Sequence, residues 1–374
     1  MTTTTSVLAV VREEWLLGVS AGTSLVFLVA GERLLGDLSN PWWTATLFLW
    51  LFAVVLWSAL AVVRHADCLA ATLGEPYGTL ILTLSAISIE VMMIATMMRH
   101  GENNPTLARD TMFAVVMIIL NGMVGLSLLL GGLRHREQHY NLQGANAYLS
   151  VLIPLAVLGL IMPNYTVSTP GPTYSPLQEE FLILMSVGLY GAFLLIQTTR
   201  HRSYFVSEHG GDEGEGEGRL RLRLRPMPFH TVLLAAYLLP VVFLAEKLAL
   251  PLDYGIEMMG VPQDLAGVAV AVLVATPEAI GAVKAALANR MQRSVNIFLG
   301  SVLSTIGLTI PAVLAITLLT GKTIILGLQN SDFVMLLLTL TVSVVTFASG
   351  RSNILQGAVH LLLFMAYLLL IFER

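Results

Sequence analysis

Eleven stretches of this chain are apolar over about 17 to 25 residues, the length a helix needs to cross roughly 30 Å of lipid hydrocarbon, and nothing else in the sequence constrains the fold as strongly. They lie near residues 14–31, 42–63, 76–98, 111–131, 147–162, 179–198, 230–249, 265–286, 294–318, 323–349 and 354–372. The fifth is short, ending at Met162-Pro163, and the tenth has an indistinct start. Hydrocarbon offers no water to pair with stray backbone groups, so such a chain closes its hydrogen bonds inside helices. The sequence predicts an all-α polytopic membrane protein with 11 transmembrane helices.

Composition narrows the function classes. Charged residues make up only 12% of the 374, about half the share of a soluble domain, while 56% are hydrophobic. The formal net charge of -4, without a basic domain, excludes nucleic acid as a partner. A single cysteine, Cys68, rules out an intrachain disulfide and the cysteine frameworks of zinc or iron-sulfur sites. No cofactor is expected. Arg12 is followed at once by Glu13 and Glu14, without a basic leader, so the first helix is expected to be retained and not cleaved as a signal peptide.

Of the 20 Lys and Arg, 14 fall on the N-terminus and the loops after spans 2, 4, 6, 8 and 10. The positive-inside bias then places the N-terminus in the cytoplasm and, with an odd number of spans, the C-terminus outside. One connection is strongly polar: Glu-Gly repeats followed by Arg219-Leu220-Arg221-Leu222-Arg223-Leu224-Arg225. Gly-acid repeats bury no apolar surface, so this is read as a flexible tether whose Arg-Leu run anchors to anionic lipid.

The tether divides the chain into an N-terminal helix and loop (1–40), five helices (41–198), a cytoplasmic linker (199–228) and five more helices (229–374). Five is odd, so a second copy enters the membrane with the opposite orientation. The expected architecture is one N-terminal helix plus two inverted five-helix repeats, an arrangement common among secondary transporters.

Two carboxylates carry the functional reading. Glu90 is the only charged residue between Glu75 and Arg99, and Glu278 the only one between Asp264 and Lys284. They lie 188 residues apart, the same offset as the openings of spans 2 and 7 near Trp42 and His230. A charge at mid-membrane costs at least about 2.5 to 3.5 kcal/mol and needs a cation, a proton or a water-filled cavity. Burial favours the neutral acid and a nearby cation favours the carboxylate, so cation and proton compete for the same oxygens. Two acids meeting on a pseudo-two-fold axis would form a hard oxygen site, which is the chemistry of cation/proton exchange.

Further oxygens would come from Thr83, Ser85 and Ser88 in the third span and Thr276 in the eighth. Pro277 cannot donate to the helix ladder, so a helix break beside Glu278 is expected. Asn121, Ser301 and Ser304 are candidates as ligands or proton relay, close helix packing being the alternative for the two serines. Glu246 beside Lys247 reads as an interfacial ion pair, His360 as a satisfied interior or interface residue, and the 16 methionines as packing.

Gly74-Glu75-Pro76-Tyr77-Gly78-Thr79-Leu80-Ile81-Leu82-Thr83-Leu84-Ser85, running on to Ile89-Glu90-Val91, and Ala275-Thr276-Pro277-Glu278-Ala279-Ile280-Gly281-Ala282-Val283-Lys284 resemble the two signatures of the cation/proton exchanger branch of the sodium/calcium exchanger superfamily. The resemblance spans nearly the whole chain. It implies an antiporter of the bacterial inner membrane, moving calcium, with sodium or potassium, against protons, with Glu90 and Glu278 as the paired transport carboxylates and metal ligands. The Gly-Asn-Ala that exchangers of this branch commonly carry before each glutamate is replaced by Ala86-Ile87-Ser88 and Val274-Ala275-Thr276. Two amide ligands are thereby missing, which leaves a mainly monovalent sodium/potassium-proton antiporter as the alternative. A passive cation channel is the further one. No His-Glu-x-x-His or Gly-x-Ser-x-Gly motif occurs, so an enzyme is not expected. The partners implied are lipid, the transported cations and protons.

Overall fold

The computed structural model describes residues 12–73, 77–100, 105–206, 225–321 and 324–373. The Gly-acid run of the linker with most of its Arg-Leu repeat, the opening Gly74-Glu75-Pro76 of the first signature and the expected start of the tenth span at Thr323 lie outside the described residues.

Helices account for almost everything described. They are α1 (Trp15–Leu35), α2 (Pro41–Leu73), α3 (Tyr77–His100), α4 (Leu107–His135), α5 (Leu142–Tyr165), α6 (Pro176–Arg200), α7 (Met227–Met259), α8 (Asp264–Leu287), α9 (Met291–Thr320), α10 (Asn330–Phe347) and α11 (Ile354–Phe372). Among the described residues ten of these are long and apolar enough to span a membrane. The eleventh, α3, holds a shorter apolar stretch, Thr83–Thr96. The expected count of 11 spans is thus met in helices but only tenfold in long apolar spans.

The tenth helix starts later than expected, at Asn330, since 324–329 form no helix before it. The fifth is longer than its apolar core suggested, because it continues through a wider π turn at Val157–Ile161 and a tighter 3-10 turn around Pro163.

The first three helices of each half repeat one another in length. Both α2 and α7 have 33 residues, both α3 and α8 have 24, and α4 and α9 have 29 and 30, whereas α5 and α6 are longer than α10 and α11. The likeness extends to a defect: α4 carries a π turn at Ile118–Met123 and α9 one at Thr305–Thr309. A π turn carries one more residue per turn than the α ladder and is concentrated at functional sites. This pattern fits an inverted repeat.

Packing places the third helices of the halves at the centre. In its most apolar window α4 is 78% buried and α9 67%, against 22% for α1 and α6, which face lipid. The long helices α2 and α7 pack on each other, and α8 crosses α4. The loops confirm that helices alternate in direction. A two-residue strand after α4, β1 (Gln138–His139), pairs antiparallel with β2 (Arg351–Ser352) after α10. On that same face Gln138 donates to the carbonyl of Ala286, at the end of α8. On the opposite face Arg109, at the start of α4, donates to the carbonyl of Gly327 just before α10.

Candidate cation site

Glu90 sits past the middle of α3 and is 1% exposed. Its Oε2 accepts a hydrogen bond of 3.0 Å from the Thr305 hydroxyl, which belongs to the π turn of α9. Thr309, the last residue of that turn, also faces Glu90. The arrangement is cross-wise: α3 packs on the π turn of the second half, and α8, which carries Glu278, packs on the π turn of the first.

Glu278 lies near enough to Glu90 for the two carboxylates to interact electrostatically, and its own neighbour is Ser301 of α9. The acids that the sequence places 188 residues apart are therefore both buried on helices that pack on α9, within electrostatic reach of one another. Three oxygens here are buried without a hydrogen-bond partner among the described residues: Glu90 Oε1, Glu278 Oε2 and Thr309 Oγ1. An orphaned carboxylate oxygen at such depth is costly, and all three oxygens are hard acceptors.

The remaining expected residues separate into those near this set and those held elsewhere. Ser304 is buried, but its hydroxyl donates to the Ser301 carbonyl at 2.8 Å. Ser85 donates to the Ile81 carbonyl and Thr276 to the Val272 carbonyl, each one helical turn back. Thr83 pairs with the Tyr190 hydroxyl of α6, and Ser88 is half-buried two residues before Glu90. Asn121 lies in the π turn of α4 but donates to Thr339 at 2.9 Å and holds His360 through Oδ1, so its amide is engaged away from the acids.

Pro277 needs correction: α8 runs through it as one helix from Asp264 to Leu287. The backbone irregularity beside the acids appears instead as the π turns of α4 and α9, while two further π turns lie toward the ends of α5 and α6. Lys247 and Glu246 pair at 3.2 Å as expected.

Sequence reasoning does not single out Thr309, although 188 residues before it stands Asn121. The register that pairs the glutamates would have found it. A second polar cluster also escapes the sequence reading. Glu14, at the start of α1, accepts from Arg64 of α2 and from the Tyr237 hydroxyl of α7, with His65 Nε2 3.5 Å away. His65 Nδ1 in turn lies 3.1 Å from His230 Nδ1. Burial opposes charge on Glu14, but the His65 contact, the Arg64 guanidinium and the Tyr237 hydroxyl together hold its carboxyl down to about 2.

Comparison with known proteins decides the family, since the model of the sodium/calcium exchanger protein family matches residues 43–199 and again 229–373. The chain belongs to the sodium/calcium exchanger family. Within this family it is 44% identical over 314 residues to y4hA of Sinorhizobium fredii, whose name describes an ionic transporter, covering 84% of this chain and 85% of that protein. It is 41% identical over 319 residues to the sodium-potassium/proton antiporter ChaA of Escherichia coli, covering 85% and 86%. The fold matches that of YfkE, a Ca2+/H+ antiporter, with a TM-score of 0.73 over 96% of this chain and 99% of that one, at 19% identity. At that identity the likeness to YfkE is one of fold.

Proposed function

We propose that this family member is a secondary cation/proton antiporter in which Glu90 and Glu278 alternately bind cation and proton. The observation that carries the reading is the set of orphaned buried oxygens, Glu90 Oε1, Glu278 Oε2 and Thr309 Oγ1. A cation satisfies them by coordination, and a proton turns either carboxylate from acceptor to donor. Either occupant neutralises a site that the low-dielectric interior does not tolerate bare. Because both compete for the same oxygens, each face of the membrane can load one as the other leaves, which is obligatory exchange.

Calcium, sodium and potassium are the cargo we assign. The two carboxylates neutralise one divalent ion, and hard oxygen donors suit all three. Missing amides before each glutamate favour a site that also accepts monovalent ions, and the name of the Escherichia coli relative, a sodium-potassium/proton antiporter, supports that breadth. Asn121, Ser301 and Ser304 are then supporting groups, with Ser301 facing Glu278 directly. The inner membrane of a bacterium is the assigned location, and the bias of Lys and Arg, 14 of 20 on one side, supports a cytoplasmic N-terminus and an external C-terminus. The chain needs no resident cofactor for this work and is read as a carrier and not an enzyme.

The test is proton movement in proteoliposomes holding the purified full chain, driven by imposed calcium, sodium or potassium gradients, with Glu90→Gln and Glu278→Gln beside the parent. The expected result is proton movement opposite to each transported cation in the parent and its loss in both variants. Unchanged exchange in both variants refutes the mechanism. Cation flux without proton countermovement would indicate a passive channel.

A further inference from the structure

The sequence reads His360 as a residue merely satisfied in the interior, yet its ring is completely buried and both nitrogens are used. Nδ1 lies 3.3 Å from Asn121 Oδ1, and Nε2 lies 3.0 Å from the Thr346 hydroxyl. An amide oxygen only accepts, so Nδ1 carries the proton and Nε2 accepts from Thr346. The Asn121 amide nitrogen, which only donates, is taken by Thr339 at 2.9 Å. His360 also faces the carbonyl of Leu120, the neighbour of Asn121 in the π turn.

These partners span three helices: α4 supplies Leu120 and Asn121, α10 supplies Thr339 and Thr346, and α11 supplies His360. A π turn weakens the helix ladder that would otherwise hold it. Here α10 and α11 grip it from outside, with α11 so close that a side chain at Gly357 would strike the backbone of Leu129. The gripped turn packs on α8, the helix that carries Glu278. Its counterpart in the second half presents Thr305 and Thr309 to Glu90, and Asn121 stands one repeat before Thr309.

We propose that His360 is a positioning residue for the cation site: by donating to Asn121 Oδ1 it fixes the π turn of α4, on which α8, the helix of Glu278, packs. The second carboxylate thereby acquires a rigid wall that the first obtains from α9. No contact between His360 and the cation is involved; the effect passes through Asn121. This rests on the exchange function proposed above.

The experiment compares His360→Asn with His360→Gln in proteoliposomes. An Asn amide nitrogen falls where Nδ1 stands and keeps the donor to Asn121, whereas the Gln nitrogen is displaced toward the Nε2 position. The expected result is a half-saturating cation concentration near the parent's for His360→Asn and about tenfold higher for His360→Gln, the scale of one buried hydrogen bond, with the maximal rate changed by less than about twofold. In an Asn121→Ala background His360→Gln adds nothing further.

Equal affinities in the two His360 variants, or effects that multiply with Asn121→Ala, overturn the proposal. A loss of maximal rate and melting temperature at unchanged affinity also overturns it, since that marks a role in packing alone. Should His360→Gln fail to insert, Thr339→Val removes the other hold on Asn121 with little change of shape, and an unchanged affinity in that variant is equally decisive. The parent is measured first: absence of cation-driven proton movement there counts against the exchange function, while normal parental exchange with indifferent His360 variants counts against the positioning role alone.

Discussion

The Thr305 hydroxyl donates to the Glu90 carboxylate over 3.0 Å, joining the buried acid of one half to the π turn of the other. The bond engages Glu90 Oε2, while Oε1 has no hydrogen-bond partner among the described residues. Replacing Thr305 by Val keeps the shape and removes the donor. A bond to a charged group contributes about 1.5 to 3 kcal/mol, so Thr305→Val is expected to raise the half-saturating cation concentration by about 10- to 100-fold, while Thr305→Ser stays near the parent. Transport assays across a cation series decide this; equal affinity in the Val variant would remove Thr305 from the site.

Much of this was legible in the chain, for identifiable reasons. Long apolar runs are dictated by the lipid solvent, so helix number and order follow from them. Glu90 and Glu278 stand out because no other charge shares their spans, and their shared register anticipates their meeting. What stayed hidden depends on tertiary contact. A π turn has no composition signature, so the sequence points to irregular backbone at Pro277, whereas the turns beside the two acids lie at Ile118–Met123 and Thr305–Thr309. Asn121 reads as a ligand until Thr339 and His360 are seen to hold it. Glu14 looks like a solvated terminal acid until Arg64, His65 and Tyr237 close over it from two other helices.

Glu14 makes stability depend on pH in a stated direction. Its carboxyl is held at about 2 in the folded chain, below the ordinary value near 4.5. A depressed carboxylate contributes stability that is fully present above the unfolded value and is lost as pH falls through the folded one. The melting temperature of the detergent-purified protein is therefore expected to drop between about pH 5 and about pH 2, and Glu14→Gln to remove part of that drop. At neutral pH the same variant takes the charged acceptor from Arg64, whose partly exposed guanidinium can turn to water, and is expected to destabilise by about 1.5 to 3 kcal/mol at most. Identical pH profiles for parent and variant would contradict the assigned hold.

Pro277 offers a test of where the irregular backbone matters. If cation ligation used carbonyls freed by this proline, Pro277→Ala would cost affinity. With α8 continuous through it, the substitution instead restores one ladder donor. The expected outcome is a half-saturating cation concentration within about threefold of the parent's and a higher melting temperature, since proline costs a helix interior about 3 kcal/mol. A large affinity loss with an intact fold would return Pro277 to the site.

The crossing of α8 over α4 depends on Gly267. A Cβ built there would lie 2.8 Å from the backbone of both Asp110 and Thr111, atoms that cannot swing aside. Gly267→Ala must push the two helices apart, at a cost typical of overpacking, about 1 to 3 kcal/mol. Because α8 carries Glu278 and α4 the π turn it packs on, the shift reaches the cation site as well as the fold. Gly281, about one helical turn after Pro277, is the control: its Cβ would meet only the Ile297 Cδ1 at 3.6 Å, an ordinary contact. Gly267→Ala is expected to lower the melting temperature and weaken cation affinity together, with Gly281→Ala changing neither. If both glycines tolerate alanine equally, the close approach of α8 and α4 at Gly267 is not what sets the position of Glu278.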